Sequence, residues 1–401
     1  MRIFVHDFAG HPFQIQLSRW LAGQGHAVFH AYCADIQTPR GALEIRETDS
    51  PGFSILPITI GRPISKYNLI RRIFEEWRYG RELIWSIAKA APDIVISGNT
   101  SPIVQTMVRR WTRRHGIAFV YWLQDVFTIA LSHALNGWKR LLLSPALMFL
   151  RRLEFGTLAR ADAVVVISED FRALLAAEGV PVGHVEVIEN WAPVDEVPAR
   201  PKSNAWSQAV GIADKFVFLY SGTLGLKHNP GLLSDLAKSF SNDPDVRMVV
   251  ISNGIGRDWL EAKKKADGLD NLLLFDFVPF EIVPDCLGAA DVQVAILEPH
   301  AGVLSVPSKV LTYIAAEKPV LGAIPPENLA ARIIVGNGLG LNVAPTDAEA
   351  FTAAARSLRK DAAAATYHQA LSAYKAEHFD IDKVGAAFLA VFAGAAARCR
   401  K

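Results

Sequence analysis

The segment SVPSKVLTYIAAEKPVL (305–321) sets a lysine, Lys309, at the start of an apolar helical pattern whose Val310, Leu311, Ile314 and Ala315 share one face. Ser308 is spaced to cap that helix, and Pro307 precedes it. A helix start presents unpaired N–H groups and the positive end of the macrodipole, so it favours anions and mildly repels a lysine. The combination makes sense if lysine and helix end share a phosphate or diphosphate. The alternative is a lysine snorkelling off a helix end into water. A second lysine, Lys227, follows YSGTLG (220–225), where Gly222 and Gly225 let backbone approach a ligand closely and Thr223 lies between them. The same alternative applies to Lys227 alone, and the two lysines together favour the anion.

Other residues with chemical potential also sit just after apolar runs. SNGIGRDWL (252–260) offers Asn253 and Gly254 in a glycine-containing turn. YWLQDVFTIAL (121–131) sets Asp125 at the end of a strand, placed either to orient or deprotonate a hydroxyl or to cap the next helix. Asn99 and Thr100 in SGNTSP follow another run, with capping the competing role. The first loop, HDFAGHPF (6–13), carries His6 and His11 and lacks GxGxxG, which argues against a dinucleotide-dependent dehydrogenase. A lone histidine near a strand end is more often structural than catalytic.

The elements that must position these residues alternate in type. RIFVHDF (2–8), a helical stretch ending at Gly23 and Gly25, and HAVFHAYCA make a βαβ start. DIVISGN (93–99), AFVYWLQD (118–125), AVVVIS (163–168) and VEVIEN (185–190) continue it. A second series comprises FVFLYSG (216–222), VRMVVIS (246–252), LLLFDFV (272–278), VQVAIL (292–297) and PVLGAI (319–324). Such Val/Ile-rich runs suit parallel sheets covered on both faces. Between the series, 191–213 carries prolines and mixed polar residues and reads as a hinge. The pattern predicts an α/β chain of two facing Rossmann-like domains with a central cleft. Residues 1–195 form the first, 196–213 a linker, 214–380 the second, and 381–401 a C-terminal helix that crosses back to the first. Ligands of such sheets bind at the carboxyl ends of the strands.

The 401 residues are 51% hydrophobic and 20% charged, enough for large cores and against disorder. Three scattered cysteines form no CxxC pair, which argues against a zinc site or disulfide framework and suits a reducing compartment. MRIFVHDFAGHPF does not read as a signal peptide, and no apolar run is long enough to span a bilayer. Net charge is only +2, yet residues 61–160 carry 16 Lys/Arg against 6 Asp/Glu. Arginines alternate with aromatic and aliphatic residues in YNLIRRIFEEWRYGRELIW (67–85), RRWTRRHG (109–116) and KRLLLSPALMFLRRL (139–153). That mixture suits an anionic membrane surface better than nucleic acid, for which no motif appears. An ordinary solvated helical face is the plainer alternative.

YSGTLGLKHN, SNGIGRDWL, FVPFEIVPDCLGAADVQVAIL, VPSKVLTYIAAEKPVLG and ENLAARIIVGNGLGLNVAPTD occur in order. In that series the chain resembles the nucleotide-sugar domain of retaining GT-B glycosyltransferases of the sucrose-synthase-like type, a family that includes bacterial polysaccharide and lipopolysaccharide enzymes. ISEDFRALLAAEG and VEVIENWAPVD extend the likeness into the first half. The resemblance implies donor contacts from Gly222, Thr223, Lys227, Asn253, Gly254, Val278, Pro279, Phe280, Ser308 and Lys309. It implies that Gly10 lies beneath the transferred sugar and that Asp125, with His11 and Asn99, lies on the acceptor side. The family's two glutamates, eight residues apart, align with Ser305 and Tyr313, with Glu298 an upstream substitute for the first. An arginine that often partners the first lysine has no basic counterpart here. Glu317 stands where a glycine is common.

The expected reaction transfers a sugar, hexosyl or N-acetylhexosaminyl, from a nucleotide diphosphate sugar, UDP-linked by preference, to a lipid-linked or glycan acceptor with retention. The expected catalytic set is Asp125, Lys227 and Lys309, with no cofactor and no metal, since no DxD stands where one would be expected. The expected location is the cytoplasmic face of the membrane, held peripherally. The alternatives are a nucleotide-sugar epimerase of the same fold, acting without acceptor, and a non-catalytic nucleotide-sugar-binding protein.

Overall fold

A computed structural model describes residues 1–36, 40–64, 69–134, 138–225, 228–299, 302, 306–362 and 364–400. The chain divides into two compact units, Met1–Asn190 with Ile381–Lys401, and Trp191–Asp380.

The first unit holds seven parallel strands. They are β1 (Arg2–Asp7), β2 (Ala27–Cys33), β3 (Phe53–Ile58), β4 (Ile94–Gly98), β5 (Ala118–Leu123), β6 (Ala163–Val166) and β7 (Val185–Val187), in the order β3-β2-β1-β4-β5-β6-β7. The middle strands are buried on both faces, as their runs of Val and Ile require. Order reverses between β1 and β4, which pair directly, with Asp7 opposite Gly98. Open parallel sheets receive ligands at the carboxyl ends of the strands beside such a reversal. β3 was not expected from the sequence. FSILPI contains Pro57, which cannot donate to a ladder, and the strand sits at the sheet edge with β2 its partner.

The second unit repeats the plan with β8 (Phe216–Ser221), β9 (Val246–Ile251), β10 (Leu272–Phe275), β11 (Val292–Ile296), β12 (Val320–Ala323) and β13 (Gly340–Val343), in the order β10-β9-β8-β11-β12-β13. Here the reversal lies between β8 and β11. β13 is not among the strands the sequence pattern predicts, being four residues long and opened by glycine. Phe218, Tyr220, Met248, Val250, Val292 and Val294 carry the centre of the core, packed under the helices Pro230–Ser239 and Ala348–Asp361.

Residues 196–213 belong to the second unit. Lys202 pairs with Asp291 at 2.6 Å, and Asn204 caps the short helix Ala205–Ala209 while donating to the Asp285 carbonyl at 2.8 Å. The prolines break regular structure there without freeing the chain. Trp191, at the unit boundary, is buried. The final helix, Ile381–Cys399, packs in the first unit against the helix Pro12–Gly23 and β5, with Phe388 on Trp122 at 4.7 Å between ring centres. Glu317 adopts φ +57° just past the helix Lys309–Ala315, which explains why glycine suits that position, and its carboxylate is paired with Lys375.

Candidate active site

In the second unit the turn after β8 and the start of the helix after β11 meet. Lys309 Nζ donates to Tyr220 Oη at 2.6 Å and lies 3.9 Å from the centre of the Tyr220 ring. Tyr220 Oη in turn donates to the Thr223 carbonyl at 3.0 Å. Burial pulls the Lys309 ammonium down to about 7 and holds the Tyr220 phenol well above its ordinary value. Gly222 has φ +135°, and a Cβ there would stand 2.9 Å from Lys309 Nζ. A side chain at 222 would therefore both strain the turn and displace the lysine. The turn is tied to the next one: Gly222 N–H donates to the Ile251 carbonyl at 3.0 Å, and Gly256 N–H to Leu224 O at 3.1 Å. Thr223, Asn253 and Gly254 form an exposed rim, and Gly254 caps the helix Ile255–Asp267 with no side chain.

Several expectations change. Ser308 does not cap: its backbone is already helical, it makes no capping hydrogen bond, and it is exposed. Lys309 is not a snorkelling surface lysine, because its amine turns back onto Tyr220. Tyr313 is buried below the turn, its hydroxyl accepting from Ser221 N–H and donating to Ser221 O, both at 3.0 Å. It supports the turn instead of lining it. Val278, Pro279 and Phe280 follow β10, two strands away from β8 in the same sheet. Lys227 and Ser305 lie outside the described residues, as do 65–68 of the basic stretch.

In the first unit the loops after β1 and β4 converge. Asp7, fully buried, accepts from His11 N–H, from Ala9 N–H at 3.1 Å and from Asn99 Nδ2 at 3.1 Å, and meets His11 Nδ1 at 3.3 Å. Asn99 Nδ2 also lies 3.2 Å from His11 Nδ1. Burial alone would raise the Asp7 carboxyl, but His11 outweighs it and holds the group below its usual value. Burial would likewise lower His11, yet Asp7, with a smaller contribution from Asp125, holds it above 6.5. Asn99 takes φ +57°, a strain that asparagine tolerates better than most residues. Gly10 is buried beneath Arg40 and Leu43, and its carbonyl accepts from Gly41 N–H at 3.0 Å, so His11 and not Gly10 is what this loop exposes. His6 is structural. It bridges Ser97 Oγ at 2.7 Å and Tyr79 Oη at 2.9 Å, and burial lowers it to about 3, so it stays neutral.

Asp125 is exposed just past β5. The N–H groups of Phe127 and Thr128, which open the next helix, are taken by Glu154 at 2.8 and 2.9 Å, so the cap comes from another helix. Gln124, beside Asp125, forms a two-way amide pair with Asn190 at 2.6 and 3.1 Å. Sequence reading missed Asp7, hidden within an apolar strand, and Tyr220, hidden within a core strand. The only available signal was position, since each lies at or near the carboxyl end of the strand that opens its series.

Two doubly wound parallel units, one of them with a cation seated beneath a glycine turn at its switch point, define the GT-B class. The chain belongs to the glycosyltransferases: residues 14–191 match the glycosyl transferase 4-like domain and residues 215–361 the glycosyl transferases group 1 family. It is similar to WbjE, a probable glycosyltransferase of Pseudomonas aeruginosa, at 30% identity over 260 residues, 64% of this chain. That match spans 63% of the relative's length, less than two thirds of it. Among solved structures, HepE of Anabaena in complex with UDP superposes at TM-score 0.69 with 14% identity, over 98% of this chain and 100% of that one. WaaG, a glycosyltransferase involved in lipopolysaccharide biosynthesis, superposes at 0.69 with 15% identity, over 96% and 98%.

Proposed function

We propose that the protein transfers a sugar from a nucleotide diphosphate sugar to a glycan or lipid-linked acceptor, with retention, in the synthesis of cell-surface polysaccharide. The observation that carries this reading is Lys309, poised under the Gly222 turn at the switch point of the second unit. The bond from the sugar C1 to the diphosphate breaks, one to the acceptor oxygen forms, and the departing diphosphate gains charge that Lys309 and the turn amides offset. Such stabilisation is often the largest catalytic contribution. Asp125 orients the acceptor. Catalysis by an ammonium group needs no metal ion. The UDP bound by HepE supports a uridine nucleotide, and the likeness to WbjE and WaaG supports a surface-glycan role.

A screen of nucleoside diphosphates by thermal shift tests the donor. UDP at about 100-fold over its dissociation constant should stabilise the protein by roughly 2.7 kcal/mol. If no nucleoside diphosphate raises the melting temperature, the reading fails.

The reading also places the protein at the inner face of the cell membrane. The helix Leu69–Ala90 buries Tyr79, Leu83 and Ile87 but exposes Ile73, Phe74, Trp77 and Trp85. Arg81 lies over the Trp77 ring and Lys89 over the Trp85 ring, at 5.2 and 5.4 Å. Not all the basic excess is available, since Arg71 and Arg72 pair with the buried Glu75 and Glu76 at 2.8 Å. Each remaining cation near an anionic leaflet contributes about 1 kcal/mol. Among the described residues no helix is long and apolar enough to cross a membrane. Replacing Trp77 and Trp85 with alanine should weaken co-sedimentation with anionic vesicles by about tenfold per tryptophan, the effect of losing one buried aromatic. Equal binding of the variant and the parent would remove the membrane from this account.

A further inference from the structure

We propose that His11 is the base that takes the proton of the attacking acceptor hydroxyl, with Asp7 and Asn99 as its positioning residues; the proposal rests on the transferase reading above. The geometry is that of an oriented base. Asp7, buried at the end of β1, meets His11 Nδ1 and also fixes the His11 backbone N–H. Asn99, from the end of the neighbouring β4, reaches both Asp7 and His11 and holds a left-handed backbone to do so. Two side chains, Asp7 at the end of β1 and Asn99 just past β4, thus converge on one ring, at the point where an open parallel sheet receives ligands. Asp7 is an acceptor only, so its contact with Nδ1 calls for the tautomer with the proton there, the Asn99 amide then donating to Asp7 and not to the ring, which leaves Nε2 as the basic nitrogen. The His11 side chain keeps 34% of its exposure while Asp7 has none, so the histidine faces outward and its partner does not.

The step balances. The acceptor O–H proton passes to His11 Nε2 as the acceptor oxygen bonds to the sugar C1, and the C1–O bond to the diphosphate breaks with its electron pair leaving on the diphosphate. His11 then releases the proton to water. In a front-side displacement a departing phosphate oxygen is the rival acceptor for the same proton, and the two predict different pH behaviour.

The charged and titratable groups around His11 are Asp7 on β1 and Asp125 after β5, which raise it, with Arg40 on the loop covering Gly10. Arg40 is committed to the Cys33 carbonyl at 2.8 Å. His6, and His30 on β2, lie behind Asp7, and burial keeps both neutral, at about 3 and about 4. His11 therefore loses its proton above 6.5, and kcat should climb with pH through a midpoint above that value. Saturating donor is used so that Lys309 stays charged and adds no limb of its own.

The experiment measures kcat against pH for the parent, His11→Gln and Asp7→Asn, together with UDP binding by calorimetry and NMR titration of the His11 ring. His11→Gln should lose about 100-fold or more in kcat and abolish the limb while still binding UDP, in line with the usual worth of a general base. Asp7→Asn should move both the kinetic midpoint and the NMR midpoint to lower pH. A purely structural role for either residue would lower the rate without moving a midpoint. Because Asp7 is buried, its variant is judged by the NMR midpoint if its melting temperature falls, and His11→Gln carries the kinetic test. A parent that transfers sugar with His11→Gln at the parental rate and an unchanged limb overturns this proposal alone and assigns the proton to the phosphate. A parent that neither binds UDP nor transfers sugar overturns the transferase reading and this proposal with it.

Discussion

Replacing Lys309 with methionine is expected to lower kcat/KM by about 100- to 1,000-fold and, at the same time, to raise the melting temperature of the nucleotide-free protein. The loss follows from charge. A donor that concentrates field on a leaving oxygen in a water-poor site contributes about 2.7–4 kcal/mol to the transition state. The gain follows from the same burial. The Lys309 amine is held down to about 7, against 10.5 for an exposed lysine, and burial is the cause. A basic group with a lowered folded value costs stability in full below that value. The cost shrinks as pH rises from about 7 towards 10.5 and vanishes above it. Contact with the Tyr220 hydroxyl and ring offsets part of it, so a methionine of similar length should stabilise the free protein by on the order of 2 kcal/mol near neutral pH. Diphosphate reverses the balance: the bound anion favours the ammonium form, so binding near pH 7–8 should draw a proton from solution. UDP affinity should therefore weaken as pH rises past about 7 in the parent and stay nearly flat in Lys309→Met. Calorimetry in two buffers of different ionisation enthalpy reads this proton uptake directly. A variant with parental kinetics would remove Lys309 from the chemistry, and one with parental affinity and a flat pH profile in both forms would remove the phosphate from Lys309.

Both sheets were largely legible because a parallel sheet buried on two faces demands Val- and Ile-rich runs, and VQVAIL or AVVVIS has few other uses. The two missed strands lie at or near sheet edges, where that demand relaxes: FSILPI tolerates Pro57 and GLNV starts with glycine. The linker was misplaced for a related reason. Prolines at 193, 198 and 201 exclude helix and sheet, but the contacts of Lys202 and Asn204 that bind this stretch to the second unit are long-range and leave no local pattern. At the site, Lys309 and the Gly222 turn were visible as a charge and a glycine in places that needed explaining. The direction of the Lys309 side chain was not, because it depends on Tyr220, 89 positions earlier in the chain. Asp7 was invisible for the same kind of reason. Inside RIFVHDF it reads as the polar end of a strand, and only the convergence of β1 with β4 gives it Asn99 as a neighbour.

Substituting alanine at Gly385 should destabilise the first unit by about 3 kcal/mol, although glycine-to-alanine inside a helix normally stabilises by about 1 kcal/mol. The difference is Trp20. A Cβ at 385 would stand 2.3 Å from the Trp20 ring, which lies flat enough on the helix Ile381–Cys399 to need a glycine beneath it. Nor can the ring simply turn away, since its Nε1 donates to Asp382 at 2.6 Å. Gly394, on the same helix, is the control: a Cβ there would meet only the flexible end of Arg398 at 3.3 Å, so Gly394→Ala should be neutral or mildly stabilising. Urea unfolding of the two variants separates packing from propensity, and Trp20→Ala combined with Gly385→Ala should recover part of the loss, as contacting pairs do in a double-mutant cycle. The consequence reaches the acceptor side. The same helix sets Phe388 on Trp122, one residue from the end of β5 and three before Asp125. Under the proposed function, loosening it should therefore lower transfer activity at temperatures well below the new melting point, with UDP affinity, assigned there to the other unit, unchanged. A Gly385→Ala protein as stable and active as the parent would mean that the closing helix does not support β5 as these contacts indicate.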